Sequence, residues 1–240
     1  VTAPRGTLVN PNYPAPVRAR LLAAYRCFNA VLKALAQVVP DKVIAGGNDA
    51  THALAISHLG DRGYRVYLEI YGGGFGGGPR LDGCDGVDSP LSNCTNTPVE
   101  ATDMDFEHFR VIGYGLLPDT GGPGRHRGGL GLFRRFLILK DGVNFATYTD
   151  RVRLAPYGLF GGLDGSRTRI EIERDGKILK VKSKDRVDLR MGDILTLYSS
   201  GGGGYGPAAE RDPRLVTRDV QQGYVTRAAA NRFYPAADKP

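Results

Sequence analysis

The chain has 240 residues, enough for one large domain or two small ones with a substantial core. Its 41% hydrophobic and 24% charged content is ordinary for a globular protein, and no apolar stretch reaches the roughly 18 residues that a membrane span needs. The net charge of +7 raises the question of nucleic acid, but no five like charges run together; residues 151–190 intersperse eleven Lys and Arg with six Asp and Glu, as on a solvated strand face.

A basic face that meets an acidic partner subunit fits this pattern at least as well as nucleic acid does. Glycine stands out, with 34 residues against the usual share of about 7%. The glycines cluster without a short period, which argues for tight turns and backbone packed close to other chain. Cys27, Cys84 and Cys94 form no C-x-x-C and no even framework. Cys27 is expected on an apolar helix face as a small hydrophobe, and the expected setting is the reducing cytoplasm. There is no leader pattern, and the chain opens Val-Thr-Ala-Pro, which either processing or a fragment explains.

In chain order, Asn10 to Pro16 holds three prolines and must be extended. Val17, Leu21, Tyr25, Phe28, Leu32, Leu35 and Val39 then recur at three- and four-residue steps. That spacing predicts one long helix, stopped by Pro40 and buried against a sheet. Tyr64 to Ile70 reads as a strand that runs into Gly72–Gly78. From Phe106 the period is mostly two. Leu132–Leu139 and Val143–Tyr148 flank Lys140-Asp141-Gly142 and predict a hairpin. Ile170 and Ile172, then Ile178 and Val181, flank the two-residue turn Asp175-Gly176, and Met191-Gly192-Asp193 introduces a strand through Leu197. In the tail, Asp212 is an N-cap before Pro213, Gly223 sits at a helix C′ position, and Thr226 caps a short helix that ends before Pro235. The alanine-rich second helix suits a C-terminal clasp better than a DNA-reading helix-turn-helix. The expected fold is α+β: a mainly antiparallel β unit, one long N-terminal helix and a short helical tail. The expected division is 1–105, 106–206 and 207–240, packed as one unit.

Gly72-x-Gly74-x-x-Gly77 matches a dinucleotide fingerprint in form only, because Pro79 and a loop follow where a helix must begin. His52, His58, His108 and His126 form no zinc-like spacing, and no Gly-x-Ser-x-Gly occurs, so no metal site and no catalytic residue is assigned. His126, between Arg125 and Arg127, is expected in a solvent-facing loop. Two polar groups remain. Asn48, Asp49 and His52 form a small cluster of a kind that commonly tightens a turn. Asp88 to Glu100 is dense in amides and hydroxyls, which either satisfy loop backbone or hold a small polar substrate. The candidate substrate-binding residues are therefore Asn48, Asp49, His52, Asn93, Asn96, Thr97 and Glu100.

Several segments together resemble the hydantoinase B/oxoprolinase family. They are Pro4-Arg5-Gly6-Thr7-Leu8-Val9-Asn10-Pro11, Asn96-Thr97-Pro98-Val99-Glu100, Gly122-Pro123-Gly124-Arg125-His126-Arg127-Gly128-Gly129, Tyr157–Gly162, Gly201–Gly206 and the tail from Asp212-Pro213 to Gly223-Tyr224-Val225. The resemblance implies the C-terminal part of a longer B-type subunit. It would work with the rest of that subunit and with an A-type partner that binds ATP with Mg. A carbonyl would be activated by phosphorylation and a small cyclic amide hydrolysed. Relatives carboxylate ketones, and any divalent metal would sit in the N-terminal portion absent here. The chain departs from the family at Gly46–Thr51, where many relatives carry Ser-Gln-Gly-Thr, and at Asp88-Ser89-Pro90, where many carry His-x-His. The second departure leaves a ketone carboxylase open, and an assembly module without chemistry of its own is the third reading.

Overall fold

The computed structural model describes residues 2–17, 20–50, 52–61, 63–88 and 98–235. Among them the fold is α+β, with two antiparallel sheets. Strands β1 (His52–Gly60), β2 (Gly63–Tyr71), β5 (Val143–Tyr148) and β8 (Lys184–Leu189) form the first, in the order β2-β1-β5-β8. Strands β3 (Phe109–Leu117), β4 (Gly131–Ile138), β6 (Arg169–Arg174), β7 (Lys177–Lys180) and β9 (Ile194–Tyr198) form the second, in the order β3-β4-β9-β6-β7. Alternation fixes which residues face inward. Leu54 and Ile56 of β1, Tyr67 of β2 and Phe145 of β5 meet Phe109, Phe136, Leu195, Leu197, Ile170 and Ile172 of the other sheet in one buried cluster. Tyr67 packs across the gap on Phe109 and Phe136, at centroid distances of 5.1 and 6.1 Å. At about 25 cal/mol per Å² of apolar surface, this shared core is the main drive for the two sheets to close.

The long N-terminal helix is not what forms. Helix α1 covers Arg20–Leu35, 16 residues, and the expected span from Val17 to Val39 is overturned at both ends. The stretch before the helix is not extended throughout, since Ala15 N–H bonds to Asn12 O at 3.0 Å across a turn at Tyr13-Pro14, and Val17 still lies outside the helix; Val39 precedes Pro40, which disfavours helical backbone there. Gln37 and Val38 donate to carbonyls three residues back, at 3.3 and 2.9 Å, and so tighten the end. The apolar stripe is buried only in part: Tyr25 is fully buried, Leu21, Phe28, Leu32 and Val39 are half-buried, and Val17 and Leu35 are exposed; Cys27 is exposed too, against the expectation of a buried thiol. The tail helices α3 (Pro213–Gln221) and α4 (Arg227–Phe233) are short as well. Helix α2 (Val99–Asp105) packs on β3.

Lys140-Asp141-Gly142 does not close a hairpin. Strand β4 pairs with β3 and β9, whereas β5 pairs with β1 and β8, so this turn carries the chain from one sheet to the other. The Asp175-Gly176 turn does close one. Both residues have positive φ, 51° and 70°, which matches the twist of β6 and β7. Asp212 accepts from the Arg214 N–H at 2.9 Å, Thr226 from the Ala229 N–H at 3.2 Å, and Gly223 has φ 73°.

The glycine clusters make a third kind of packing. Extended segments from five parts of the chain hydrogen-bond side by side: Gly77 N–H to Gly203 O at 2.8 Å, Gly203 N–H to Gly46 O at 2.8 Å, Gly46 N–H to Tyr157 O at 2.8 Å, and Gly202 N–H to Gly129 O at 2.9 Å. A Cβ on Gly74 would lie 1.9 Å from the Gly129 carbonyl oxygen, and one on Gly202 would lie 1.9 Å from that of Phe75. Only glycine lets these backbones approach so closely. Gly72–Gly78 leads into non-helical residues 79–88, so the dinucleotide reading lacks its structural context. His126 pairs with Tyr205 within this lattice, not in a solvent-facing loop.

Buried ion pairs fasten the tail to the lattice. The fully buried Arg211 donates to Asp82 at 2.6 and 2.7 Å and to Asp219 of α3 at 2.6 Å. Arg127 donates to Asp85 at 2.9 Å and lies 3.4 Å from Asp219.

Candidate functional site

At one end of the first sheet the inward row turns polar. Register sets Tyr71 opposite His52 and pairs Ala53 with Tyr148, so Thr149, the next residue, falls beside His52. His52 is buried, with Nε2 2.7 Å from Asn48 Oδ1 and Nδ1 hydrogen-bonded to Thr149 Oγ1. Ser200 Oγ donates to the same Asn48 oxygen at 2.6 Å. An amide oxygen only accepts, so this network assigns the His52 proton to Nε2 and makes Nδ1 the acceptor for the Thr149 hydroxyl. Burial pulls the His52 pKa down to about 4; Asp150 opposes this, and Arg151 and Arg26 add to it. At neutral pH His52 is thus uncharged with both nitrogens engaged. A general base needs a nitrogen within reach of the reactant; His52 instead fixes the segment that carries Asn48.

Asp49, next along, has φ 39° and accepts from the Gly47 N–H at 2.8 Å, a local turn contact of the expected kind. Burial raises its pKa; the Arg151 charge and hydrogen bonds from Asn29 and Gly47 act against the rise. Arg151 also has positive φ, 62°. Its Nε donates to Asn48 O at 3.1 Å, and one terminal nitrogen donates to Gly47 O at 2.6 Å and Asn29 Oδ1 at 3.1 Å, 3.8 Å from Asp49. Burial, reinforced by Arg26, lowers the Arg151 pKa to about 10, which leaves it charged at neutral pH. Helix α1 is held through the same groups: Arg26 bonds to Asp49 O and pairs with Asp150 at 3.3 Å, and Tyr157 donates to Asn29 O at 3.0 Å.

Asn48, Asp49 and His52 therefore come together, in a sealed network. Glu100 is exposed in the first turn of α2 and bonds to none of the three. Asn93, Asn96 and Thr97 lie outside the described residues. Sequence reasoning missed Asn29, Thr149, Arg151 and Ser200, which stand 97 to 152 residues from partners in the network and carry no local spacing signal. Among the described residues no group of three or more His, Cys, Asp or Glu is arranged to hold a metal, and no helix is long and apolar enough to cross a membrane.

The sequence profile described as Hydantoinase B/oxoprolinase matches residues 1–208. The chain belongs to this family. It is 36% identical over 234 residues to the B-type subunit of a putative D-/L-hydantoinase of a Pseudomonas species, covering 96% of this chain and 39% of that one. It is 26% identical to the beta subunit of the caprolactamase of Pseudomonas jessenii, over 96% of this chain and 42% of that one. The fold matches the crystal structure of ATP-dependent caprolactamase from P. jessenii with a TM-score of 0.79 at 22% identity, over 100% of this chain and 43% of that one. The nucleotide-free acetone carboxylase structure matches with a TM-score of 0.68 at 17% identity, over 83% of this chain and 31% of that one. The chain thus spans about two fifths of the hydantoinase and caprolactamase subunits it resembles.

Proposed function

We propose that this hydantoinase B/oxoprolinase chain forms the C-terminal part of a B-type subunit that, with an A-type partner and ATP, opens a small cyclic amide. The observation that carries the reading is the 36% identity to a hydantoinase subunit across 96% of the chain. Hydantoin and caprolactam, named in two relatives, are both cyclic amides. The amide carbonyl is a poor electrophile, and transfer of the ATP γ-phosphoryl group to its oxygen would activate the carbon for attack by water; the ring nitrogen would leave as the amine, and a second water would release phosphate from the acyl phosphate so formed.

In this account the Asn48, Asp49 and His52 network, braced by Arg151, holds the glycine lattice in one geometry. Asn93, Asn96, Thr97 and Glu100 supply polar contacts to substrate. ATP with Mg sits on the A-type partner, and any divalent metal in the remaining part of the B-type subunit. The complex reconstituted from the A-type partner and the complete B-type subunit is expected to consume ATP when given hydantoin, 5-oxoproline or caprolactam. Absence of amide-dependent ATP consumption would refute the proposal. Asp88-Ser89-Pro90, in place of His-x-His, favours the second reading, a ketone carboxylase. Ketone-dependent fixation of labelled bicarbonate, without amide opening, would establish that reading instead.

A further inference from the structure

A second polar group lies in the core, apart from the His52 network. Inward parity on β4 gives Leu132, Arg134, Phe136 and Ile138, and on β2 it gives Tyr67, Glu69 and Tyr71. One arginine and one glutamate thus occupy positions that alternation reserves for apolar side chains. They meet between the sheets: Arg134 donates through Nη1 to Glu69 Oε1, and the Tyr67 hydroxyl donates to Glu69 Oε2. The guanidinium carbon lies 4.1 Å from the Tyr114 ring centroid and 5.2 Å from that of Tyr71.

This arrangement leaves one edge of the guanidinium over. Arg134 is 1% exposed, and among the described residues its hydrogen bonds all run through Nη1. Buried Nε has no partner, and the buried hydroxyl of Tyr71 makes no hydrogen bond of good geometry, although the Glu69 carboxylate lies beside it. Buried donors without acceptors are rare in folded proteins, and a coherent set of them asks for a ligand. Both groups line a cavity of about 330 Å³, with Tyr114, Leu132 and Gly72 among its other walls. Burial and the Glu69 charge hold the Tyr71 pKa well above its ordinary value, so the hydroxyl stays a donor.

The geometry points to a docking site for a carboxylate. Its two oxygens would accept from the Nε and Nη2 edge of Arg134, a planar fork that suits a carboxylate, with the Tyr71 hydroxyl as a further donor. Glu69 already offsets the Arg134 charge, and Asp88 also lines the cavity, so a monoanion is favoured over phosphate. The ligand class follows from the site alone; that the carboxylate belongs to a cyclic amide rests on the function proposed above.

The test is calorimetric or ligand-observed NMR binding to the full chain, without ATP, using 5-oxoproline, 2-pyrrolidinone (the same ring without the carboxylate), pentanoate and inorganic phosphate. The expected result is binding of 5-oxoproline, with 2-pyrrolidinone and phosphate each at least about tenfold weaker. Tyr71→Phe removes one oxygen whose neighbour in the fold, Glu69, keeps its bonds from Tyr67 and Arg134, so the protein should stay folded while 5-oxoproline affinity falls about tenfold, the usual scale for one hydrogen bond to a charged group. Arg134→Met should abolish binding. Equal binding of 5-oxoproline and 2-pyrrolidinone, or unchanged affinity in Tyr71→Phe, overturns the site. Pentanoate binding as well as 5-oxoproline supports the carboxylate site and counts against the cyclic-amide reading.

Discussion

Replacement of His52 by glutamine tests the buried network quantitatively. Glutamine can keep a donor toward Asn48 and an acceptor toward Thr149, but it cannot take up a proton near neutral pH. The folded His52 pKa is about 4, against about 6.5 for an unfolded histidine. Because the folded value is the lower one, the contribution to stability is fully present above pH 6.5 and is lost as the pH falls through about 4. At about 1.36 kcal/mol per unit, that gap amounts to about 3 kcal/mol at most. Urea unfolding at half-unit steps from pH 7.5 to 4 should show the wild type losing up to about 3 kcal/mol more than His52→Gln. Carboxylates that titrate in the same range act on both proteins and cancel in the difference. Parallel stability curves, or a His52 ring proton that titrates near 6.5 in the folded wild type, would refute the neutral, fully bonded imidazole.

Four further outcomes are expected. Asp219→Ala leaves Arg211 and Arg127 short of a buried partner and should cost about 3–5 kcal/mol in chemical unfolding, with α3 released from the glycine lattice. Burial raises the Asp82 pKa, but the bonds and charge of Arg211 outweigh this and leave it lowered. The Asp82–Arg211 contribution should therefore persist above the ordinary aspartate range and disappear as the pH falls below it, visible as acid unfolding that Asp82→Asn makes shallower. Gly202→Ala should yield no soluble folded protein, because its Cβ would meet the Phe75 carbonyl; Gly142→Ala, with open space around it, should fold with a loss of about 1 kcal/mol from its positive φ. Glu100→Ala, exposed on α2, should leave the melting temperature unchanged while it lowers amide-dependent turnover at least severalfold; unchanged turnover would remove Glu100 from the site.

What the sequence made legible was local. The Asp175-Gly176 turn and the caps Asp212 and Thr226 depend on a few adjacent residues, and each forms as read. Family membership was legible too, since the ordered motifs from Pro4 to Val225 span the chain and the family profile matches residues 1–208. The first helix was misjudged because apolar spacing alone does not fix where a helix starts and ends: Val17 lies before it, and Val39, next to Pro40, is disfavoured from helical backbone. Nor does spacing say whether anything covers the stripe, and Val17 and Leu35 are exposed. The turn at Lys140-Asp141-Gly142 was misassigned for a related reason: two alternating strands around a glycine look alike whether they pair or part into different sheets. The candidate site was half legible. Asn48, Asp49 and His52 stood close in sequence, but Arg151 and Ser200 reach them only through the fold. Arg134 and Glu69 did leave a signal, a charge at inward parity within each strand, and alternation read residue by residue exposes it.

The function proposed for this chain is a part in ATP-driven opening of a cyclic amide through activation of its carbonyl. The most direct measurement supplies the reconstituted complex with 5-oxoproline or hydantoin labelled with oxygen-18 at the ring carbonyl, and determines by mass spectrometry where the label goes. Phosphoryl transfer to the carbonyl oxygen, water attack at carbon with departure of the protonated ring nitrogen, and displacement of phosphate from the resulting acyl phosphate by a second water put the label in inorganic phosphate and two unlabelled solvent oxygens in the new carboxylate. Label in phosphate, one per ring opened, is the predicted result. Ring opening with unlabelled phosphate, or ATP consumption that needs a ketone and bicarbonate instead of an amide, would contradict it.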